Sequence, residues 1–344
     1  MPKSSPSSPP PPSCSPLPPR GPRVRPLRRL RTLRQLRPGR RVAALTGLAV
    51  LATGCSAFSS GDGDQHTAVP AAPPAVQLAA VRPATVPQGA AQQELNSRIG
   101  LAEQELTLQQ AVLTARRWGL ATPPLKAPAA PRTKPELTEQ PGVKHTAGLP
   151  PVVYRVPTSD KVVFLTVDDG AEKDPRFSTM AAELGVPLSA FLSDYLARSD
   201  YGYFRTMRDH GVAVNNHTIT HPDLRRLDQA GLQREICGQQ DRLQKELGTR
   251  PRLFRPPYGE YTDAVLRTAA SCGITAVPLW NEEAFPDHVE YRYADQKLHP
   301  GDIILTHFRA PAPDWKGTMP DMLRRVIATA TAQGFAIARL EDYL

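Results

Sequence analysis

The residues Val162-Val-Phe-Leu-Thr-Val-Asp-Asp-Gly170 give the clearest indication of the fold. Its first six residues are almost wholly apolar and rich in β-branched side chains, which favours a strand that is buried on both faces. Two aspartates and a glycine follow at once, so polar groups and a turn stand where the strand ends. Strands of this kind are typical of parallel sheets, whose functional groups gather at the carboxyl ends of the strands.

The same pattern repeats along the chain as far as its C-terminus. From residue 152 onward, short β-branched runs alternate with stretches of helical periodicity. This alternation predicts an α/β domain on a mainly parallel sheet, either open or closed into a barrel. The predicted strands cover residues 162–167, 188–193, 212–216, 253–254, 276–280, 303–306 and 335–339. The main predicted helices cover residues 201–210, 228–247, 262–271 and 319–333.

Two motifs at strand ends carry side chains that could bind a metal ion. Asp168 and Asp169 are adjacent carboxylates that repel each other unless a cation or a proton lies between them, although an ordinary Asp-Gly turn also accounts for them. His217-Thr-Ile-Thr-His221 follows the strand at 212–216, and imidazoles four residues apart can reach one ion or lie on a solvated helix face. Together the motifs offer two imidazoles and a carboxylate as ligands, and one carboxylate stays free.

These groups indicate metal-assisted hydrolysis. A divalent ion lowers the pKa of water, and a free carboxylate beside it can accept the proton. Arg255-Pro-Pro-Tyr258-Gly follows a short strand, so the arginine could hold the base ionised while the turn presents a backbone N–H to an oxyanion. Leu305-Thr-His307 ends another strand, and a histidine there is placed to protonate a leaving group.

The ordered set Thr-Val-Asp-Asp-Gly, His-Thr-Ile-Thr-His, Arg-Pro-Pro-Tyr and Leu-Thr-His resembles the polysaccharide deacetylase family, the NodB-homology or carbohydrate esterase family 4 domain. The resemblance covers residues 152–344 and implies a distorted (β/α) barrel, the NodB-like fold. It also implies a hydrolase acting on carbon–nitrogen bonds that are not peptide bonds. Such an enzyme would remove N-acetyl groups from an acetylated glycan such as peptidoglycan or chitin with one divalent metal ion, usually Zn²⁺.

The resemblance implies roles for the residues of the first three motifs. Asp168 would be the general base, and Arg255 would position it. The three metal ligands would be Asp169, His217 and His221.

The later motifs would complete the site. The backbone N–H of Tyr258 would help to stabilise the oxyanion. His307 would be the general acid that protonates the departing amine, and Leu305 would line the pocket for the acetyl methyl group.

One part of the chain departs from the family pattern. The family usually has a Trp-and-Asp motif before the strand of the acidic histidine, where the aspartate tunes that histidine and the tryptophan walls the acetyl pocket. Here Trp280 matches an aromatic residue of that region, but the Asp-Trp pair is absent. Glu283 or Asp287 could replace the aspartate as the acid-tuning carboxylate, or both could be solvated loop carboxylates.

The basic character of the chain lies entirely in its leader. The formal charge is +9, but eleven of the 42 Lys and Arg residues precede residue 42, where no acidic residue stands. The rest therefore carries 31 basic against 33 acidic residues, which argues against nucleic acid as a partner.

Residues 1–55 are predicted to form a basic leader and a secretory signal peptide. A short apolar run follows Arg40 and Arg41, and the stretch from Leu51 to Cys55 resembles a lipobox, which implies a lipid anchor at Cys55. Twin-arginine export and a disordered basic arm are the alternatives. We therefore expect an exported protein at the cell surface or outside the cell, whose only membrane contact is this anchor.

Residues 56–150 are rich in Pro and Ala and predict a disordered tether ahead of one catalytic domain at 152–344. Within the tether, residues 92–118 contain no proline and place apolar residues at heptad-like spacing, which predicts a helix. This helix could be a self-associating stalk, or it could pack on the following domain. The sequence leaves the oligomeric state open.

Export also bears on the cysteines, because disulfides persist in oxidising compartments. If the leader is removed and Cys55 is lipidated, Cys237 and Cys272 remain to form a disulfide. Two buried free thiols are the alternative.

Two other functions compete with N-deacetylation. One is a catalytically weak or silent lipoprotein that binds glycan, and the other is an O-acetyl esterase of the xylan type. Both Asp168 and His307 are present, which argues against the silent protein because binding alone needs neither.

Overall fold

The structure is a computed structural model that describes residues 88–344, with side chains from residue 92. The predicted leader and signal peptide, Cys55, and the first part of the tether lie outside the described residues. Among residues 88–344, no helix is both long enough and apolar enough to cross a membrane.

The strands of the described residues form a seven-stranded and a three-stranded sheet. They are β1 (Val143–Lys144), β2 (Val152–Val153), β3 (Val162–Asp169), β4 (Ser189–Leu192), β5 (Ala213–Asn216), β6 (Val277–Pro278), β7 (Glu282–Ala284), β8 (Val289–Tyr291), β9 (Ile303–His307) and β10 (Ala336–Ala338).

Helices lie between β3 and β4, β4 and β5, β5 and β6, and β9 and β10, as the alternating pattern predicts. The helices of the described residues are α1 (Gln88–Arg117), α2 (Pro175–Glu183), α3 (Asp194–Ala197), α4 (Tyr201–Asp209), α5 (Gln229–Leu247), α6 (Asp263–Ser271) and α7 (Met319–Ala332). Side-chain caps fix their starts: Asp174 accepts a hydrogen bond from Arg176 at the start of α2, and Thr318 and Asp321 form a capping box on α7.

The larger sheet has the order β5-β4-β3-β9-β7-β8, and β10 pairs with the first residues of β3. All its pairings are parallel except the β7–β8 hairpin. The predicted strand at 253–254 makes only isolated bridges, from Phe254 to Asn216 of β5 and from Leu253 to Ala276 just before β6. The bridges connect β5, one edge of the larger sheet, through residues 253–254 to residue 276. The chain then runs through β6 into β7, on the other side of the same sheet. The predicted distorted (β/α) barrel is therefore confirmed.

β3 lies at the centre of the sheet and is buried on both faces, as its apolar run predicts. Val163, Leu165 and Val167 pack in the core that includes residues of α2 and α7. Phe164 packs on the other side with Phe191 of β4, in a separate core cluster. Because side chains alternate along a strand, Thr166 and Asp168 continue the face of Phe164 toward the carboxyl end.

The packed part of the chain begins earlier than residue 152, the predicted start of the domain. Leu120 is buried in the main core, and Val143 of β1 is buried and pairs with Val153 of β2. The prediction of a tether as far as residue 150 therefore needs correction. Since the segment between Leu120 and β1 has no regular secondary structure, its contacts leave no periodic signal in the sequence.

The two remaining cysteines are bonded to each other in the structure. Cys237 lies on α5, and Cys272 follows the last residue of α6. Their Cα atoms are 5.1 Å apart and their Sγ atoms form a disulfide. This bond joins two helices that also pack through Ile236 and Ala269.

The hairpin of β7 and β8, which the sequence pattern did not predict, brings Glu282 against Asp302, the residue before β9. Glu282 is 1% exposed, and neither of its carboxylate oxygens has a hydrogen-bond partner. Burial and the neighbouring Asp302 raise the pKa of Glu282 to about 10. Asp302 itself accepts hydrogen bonds from Asn281 Nδ2 at 3.1 Å and from the His299 N–H at 2.6 Å. Glu282 is therefore the protonated partner of the pair.

We expect Glu282→Gln to remove a pH dependence from the stability of the domain. The folded chain keeps a proton on Glu282 up to a pH of about 10, whereas an unfolded glutamate loses it near pH 4.5. The contribution of Glu282 to the free energy of unfolding is complete below pH 4.5. It is lost as the pH rises toward about 10, by up to about 1.4 kcal/mol per pH unit. Urea unfolding across this pH range should show a flatter profile for Glu282→Gln. Glu290→Gln, an exposed change on the same hairpin, should keep the wild-type profile; identical slopes for all three proteins would contradict the assignment.

Candidate active site

The ends of β3 and β9 lie side by side and bring two predicted functional residues together. Asp168 and His307 are partners in the parallel register of these strands. The Phe308 N–H donates to the Asp168 carbonyl at 3.0 Å, which fixes the chain just after His307. Strand pairing therefore sets the separation of Asp168 and His307.

Arg255 reaches across the interior of the barrel to Asp168. Its side chain is fully buried, and Nη1 donates to Asp168 Oδ1 at 2.7 Å and to Thr166 Oγ1 at 2.9 Å. Its Nε donates to the Pro278 carbonyl at 2.9 Å, and the guanidinium lies over the Phe191 ring at 4.4 Å from the ring centre. These contacts fix both the arginine and the carboxylate that it holds.

The environment of Asp168 acts on its pKa in two directions. Burial raises the pKa of Asp168 above its ordinary value, while the charges of Arg255 and His307 lower it. The raising effect is the larger. A carboxylate with a raised pKa is a stronger base than one in free solution, which suits proton abstraction from water.

Asp169 points to the same site as Asp168 because its backbone is unusual. Consecutive side chains of a strand normally point to opposite faces. Asp169 has a φ of 78°, a left-handed conformation that is rare outside glycine. Its carbonyl accepts from the Ser193 N–H at 3.1 Å, which holds this conformation against the end of β4. Such local strain is common at functional sites.

The two histidines bring their Nε2 atoms to Asp169. Asp169 Oδ1 lies 3.7 Å from His217 Nε2 and 3.6 Å from His221 Nε2. His217 Nδ1 is 2.7 Å from the Arg255 carbonyl, which can only accept, so Nδ1 carries the proton and Nε2 presents a lone pair. Burial lowers the pKa of His217 to about 3, so this imidazole is neutral, as a metal ligand must be.

These three residues fit a metal ion. One ligand atom from each of Asp169, His217 and His221 lies within 4.8 Å of the others, and no other such group of three is found in residues 92–344. Two imidazole nitrogens and a carboxylate oxygen are ligands that suit zinc and related divalent ions. The chain can thus hold a divalent metal here. Asp168 is not one of the three ligands, but its Oδ2 lies only 3.6 Å from His217 Nε2.

Sequence reasoning missed the residue that holds the histidine loop. Glu235 of α5 accepts from the N–H groups of Ile219 and Thr220 at 3.0 and 2.8 Å and from the Thr220 hydroxyl at 2.7 Å. Thr218 Oγ1 accepts from the His221 N–H at 3.1 Å. Both threonines thus shape the loop, but nothing in the sequence linked Glu235 to a loop 14 residues or more upstream.

The turn at Tyr258 borders the site on another side. Tyr258 has a φ of 63°, its side chain is 58% exposed, and its ring lies 4.7 Å from the His221 ring. Gly259 has a φ of 71°, and a Cβ there would meet the Trp280 ring at 3.0 Å. The half-buried Trp280 therefore packs on this turn, and Leu305 is buried beside Thr166 and Glu283 in the strand register.

The structure distinguishes between Glu283 and Asp287, the two carboxylates that were predicted as possible partners of His307. Glu283 Oε1 lies 3.6 Å from His307 Nδ1, and burial raises the pKa of Glu283. Asp287 lies away from this pair, with its Oδ1 2.7 Å from Nδ1 of the exposed His288. Glu283 is thus the carboxylate in reach of His307.

The chain resembles known proteins over the region that builds this site. A family model described as polysaccharide deacetylase matches residues 155–277. An uncharacterized protein of Streptomyces coelicolor is 43% identical over 197 residues, 57% of this chain and 78% of that protein. A chitooligosaccharide deacetylase of a Bradyrhizobium species is 33% identical over 154 residues, 42% of this chain and 69% of that enzyme. The chain belongs to the polysaccharide deacetylase family.

A solved structure supports the fold of this polysaccharide deacetylase family member. A peptidoglycan N-acetylglucosamine deacetylase superimposes with a TM-score of 0.50 over 56% of this chain and 92% of that chain, at 22% identity. The family model and the relatives confirm the resemblance that the motifs indicate. The matched region at 155–277 contains Asp168 and the three residues of the metal cluster, whereas Glu283 and His307 lie beyond it.

We expect Asp169→Asn to lose divalent metal binding, because the amide offers a weaker ligand to the cluster. Replacing outer partners of metal ligands costs about 10–100-fold in affinity, so the loss of a direct ligand should exceed that. Zinc titration by calorimetry measures the effect. Asp287→Asn removes an exposed carboxylate outside the cluster and should bind zinc like the wild type. Wild-type affinity in Asp169→Asn would show that the ion is held elsewhere.

Proposed function

We propose that this protein is a metal-dependent hydrolase that removes acetyl groups from an N-acetylated polysaccharide of the cell envelope. One observation carries the proposal. A buried carboxylate that is not part of the metal cluster, Asp168, is fixed by Arg255 at 2.7 Å and stands 3.6 Å from the ligand atom of His217. A base beside a metal-ligand cluster is an arrangement that suits the hydrolysis of an unactivated amide.

The family relatives support the substrate class. One relative is a chitooligosaccharide deacetylase, and a protein of the same fold is a peptidoglycan N-acetylglucosamine deacetylase. Both names specify removal of acetyl groups from a glycan. An acetylated glycan is therefore the substrate that we assign to this chain, with peptidoglycan and chitin-like polymers as the two forms to compare.

We assign the metal as Zn²⁺, held by Asp169, His217 and His221. The ligand set of two imidazoles and one carboxylate supports zinc, because sites of this composition commonly keep one further position open. When bound, the ion supplies Lewis-acid chemistry, which polarises the acetyl carbonyl and makes nearby water more acidic.

Asp168 is assigned as the general base. It accepts a proton from the water that attacks the acetyl carbon, and Arg255 keeps the carboxylate in position through a hydrogen bond on Oδ1. This leaves Oδ2, the oxygen on the side of His217, to receive the proton. The backbone N–H of Tyr258 is assigned to the oxyanion that develops on the carbonyl.

His307 is assigned as the general acid. The carbon–nitrogen bond breaks as His307 donates its proton to the departing nitrogen, so the products are acetate and a free amine on the sugar. Glu283, with Oε1 3.6 Å from Nδ1, is assigned to orient the ring. Leu305 and Trp280 are assigned to the wall of the acetyl pocket.

We further propose that the protein works outside the cytoplasm, anchored by a lipid on Cys55. The basic residues before Val42, the apolar run after them and the lipobox-like residues from Leu51 to Cys55 support this location. A peptidoglycan or chitin-like substrate is also found there. The charge balance of 31 basic to 33 acidic residues after the leader suits an uncharged glycan better than a polyanion.

We expect the full chain with zinc to release acetate from peptidoglycan or chitooligosaccharide, and a chelator to abolish the release. Asp168→Asn should lower kcat by about 10²–10⁴, because general base catalysis contributes a factor of this size. The variant should still bind zinc, since Asp168 is outside the cluster of three ligands.

The controls separate three outcomes. Zinc binding without acetate release from any glycan would favour a silent glycan-binding protein. Release from acetylxylan alone would identify an O-acetyl esterase. Full activity in Asp168→Asn would remove Asp168 from the role of base.

We expect Glu283→Gln and Asp287→Asn to differ. Glu283→Gln removes the carboxylate that lies 3.6 Å from His307 Nδ1, so the ring should be less well oriented and kcat for the amide should fall. Amide hydrolysis should fall more than hydrolysis of an activated acetyl ester, since only the amine must be protonated to leave. Asp287→Asn should change neither rate, because Asp287 contacts His288 instead. Equal effects of the two variants on the amide would contradict the role of Glu283.

A further inference from the structure

Helix α1 projects from the domain with little packing of its own. Every side chain from residue 92 to residue 110 is exposed. The contacts with the domain begin in the last turns, where Ala115 is buried and both Arg117 and Trp118 donate hydrogen bonds to Glu183. Only the C-terminal end of the helix is therefore held by the rest of residues 92–344.

This helix carries most of the exposed large apolar side chains of the described residues. Nine such side chains are exposed, and six of them belong to α1. They are Leu95, Ile99, Leu101, Leu106, Leu108 and Leu113, with exposures from 47% to 66%. A concentration of apolar surface on one element marks an interaction site, because single exposed residues scattered over a surface are the normal case.

Five apolar residues of α1 form one stripe along the helix. Ile99, Leu106 and Leu113 repeat every seven residues. Leu95 lies four residues before Ile99, and Ala102 lies four residues before Leu106. These are positions a and d of a heptad, which together form the seam of a coiled coil. A β-branched residue at a with Leu at d favours two strands, and Ile99 with Leu95 is the one such pair in the stripe.

An isolated helix with this sequence would be weakly stable. Helices in proteins owe most of their stability to the packing of an apolar face, and Gly100 lowers the helix propensity in the middle of the exposed part. The exposed ion pair between Arg98 and Glu94, with Nη2 and Oε1 2.6 Å apart, compensates little of this. Burial of the stripe against a partner would supply the apolar packing that the domain does not give to this part of α1.

The charges beside the stripe favour a second copy of the same helix. With Ile99 at a, Arg98 is at g and Glu103 is at e of the following heptad. In a parallel pair, g of one helix faces this e of the other, so Arg98 of each copy meets Glu103 of its partner on both sides of the seam. In an antiparallel pair centred near residue 103, the two copies of Glu103 would face each other and repel.

A membrane surface fits the same stripe less well. Helices that lie on anionic lipid carry basic residues on their polar face. Between residues 92 and 113, α1 carries Glu94, Glu103 and Glu105 against the single base Arg98. Its polar side is therefore acidic, which disfavours lipid as the occupant.

We propose that α1 pairs with α1 of a second copy of this chain in a parallel two-stranded coiled coil. The seam runs from Leu95 to Leu113, and the two catalytic domains follow at the same end. This inference does not depend on the proposed hydrolytic activity, since no residue of the seam belongs to the candidate active site. The dimer would present two candidate active sites to one polymer, which raises the local concentration of the second site once the first is engaged.

Sedimentation equilibrium of the full chain tests the pairing. We expect the mass of a dimer at micromolar concentration, and the mass of a monomer for the double variant Ile99→Asp with Leu106→Asp. The matched control is Leu101→Asp with Leu108→Asp, which places the same charges on equally exposed leucines outside the seam and should leave the dimer intact. A monomeric wild type, or the same mass for both double variants, would overturn the proposal.

Cysteine crosslinking tests the parallel orientation. In a chain with Cys14→Ser and Cys55→Ser, we expect Leu106→Cys to form a dimer crosslink under mild oxidation, because equivalent a residues meet across a parallel seam. Gln104→Cys in the same heptad lies on the opposite side of the helix and should not crosslink. No crosslink at Leu106, or equal crosslinking at both positions, would overturn the parallel arrangement.

Discussion

The buried ion pair between Arg255 and Asp168 is the interaction on which the rest of the site depends. Both side chains are out of water, and removing either would leave an uncompensated charge in the interior. Arg255 also donates to Thr166 of β3, and its own carbonyl holds Nδ1 of His217. Arg255 therefore fixes both the position of Asp168 and the tautomer of His217. Its side chain also connects the segment at 253–254, which it directly follows, to the central strand β3.

The parts of the site that the sequence could predict are those that directly follow a strand. An apolar run that ends in Asp168 and Asp169 shows both the strand and its functional end. The same holds for His217 after β5 and His307 at the end of β9, because parallel strands bring their carboxyl ends to one edge. The mainly parallel α/β sheet, too, was predictable, since the alternation of strands and helices depends on local periodicity, whereas the barrel was implied by the family resemblance of the motifs.

Other parts depend on pairing that leaves no local signal. Whether Glu283 or Asp287 faces His307 is decided by the pairing of β7 with β9, which turns Glu283 to the site and Glu282 to the opposite side. Glu235 clamps the histidine loop across 14 or more residues of chain. The early start of the domain at Leu120 was hidden because that segment packs without regular structure. In each case the deciding contact joins residues distant in the sequence.

We hold that Arg255 keeps Asp168 in place as the working base, and the pH–rate profile of Arg255→Lys is the sharpest test of this claim. Arg255 lowers the pKa of Asp168 against the effect of burial, both through its charge, which a lysine would keep, and through its hydrogen bond to Oδ1. A lysine that cannot make the same hydrogen bonds should let this pKa rise. We therefore expect the acid limb of the profile to move to higher pH and kcat to fall, with one zinc ion still bound per chain. An unchanged acid limb at unchanged zinc content would contradict the claim.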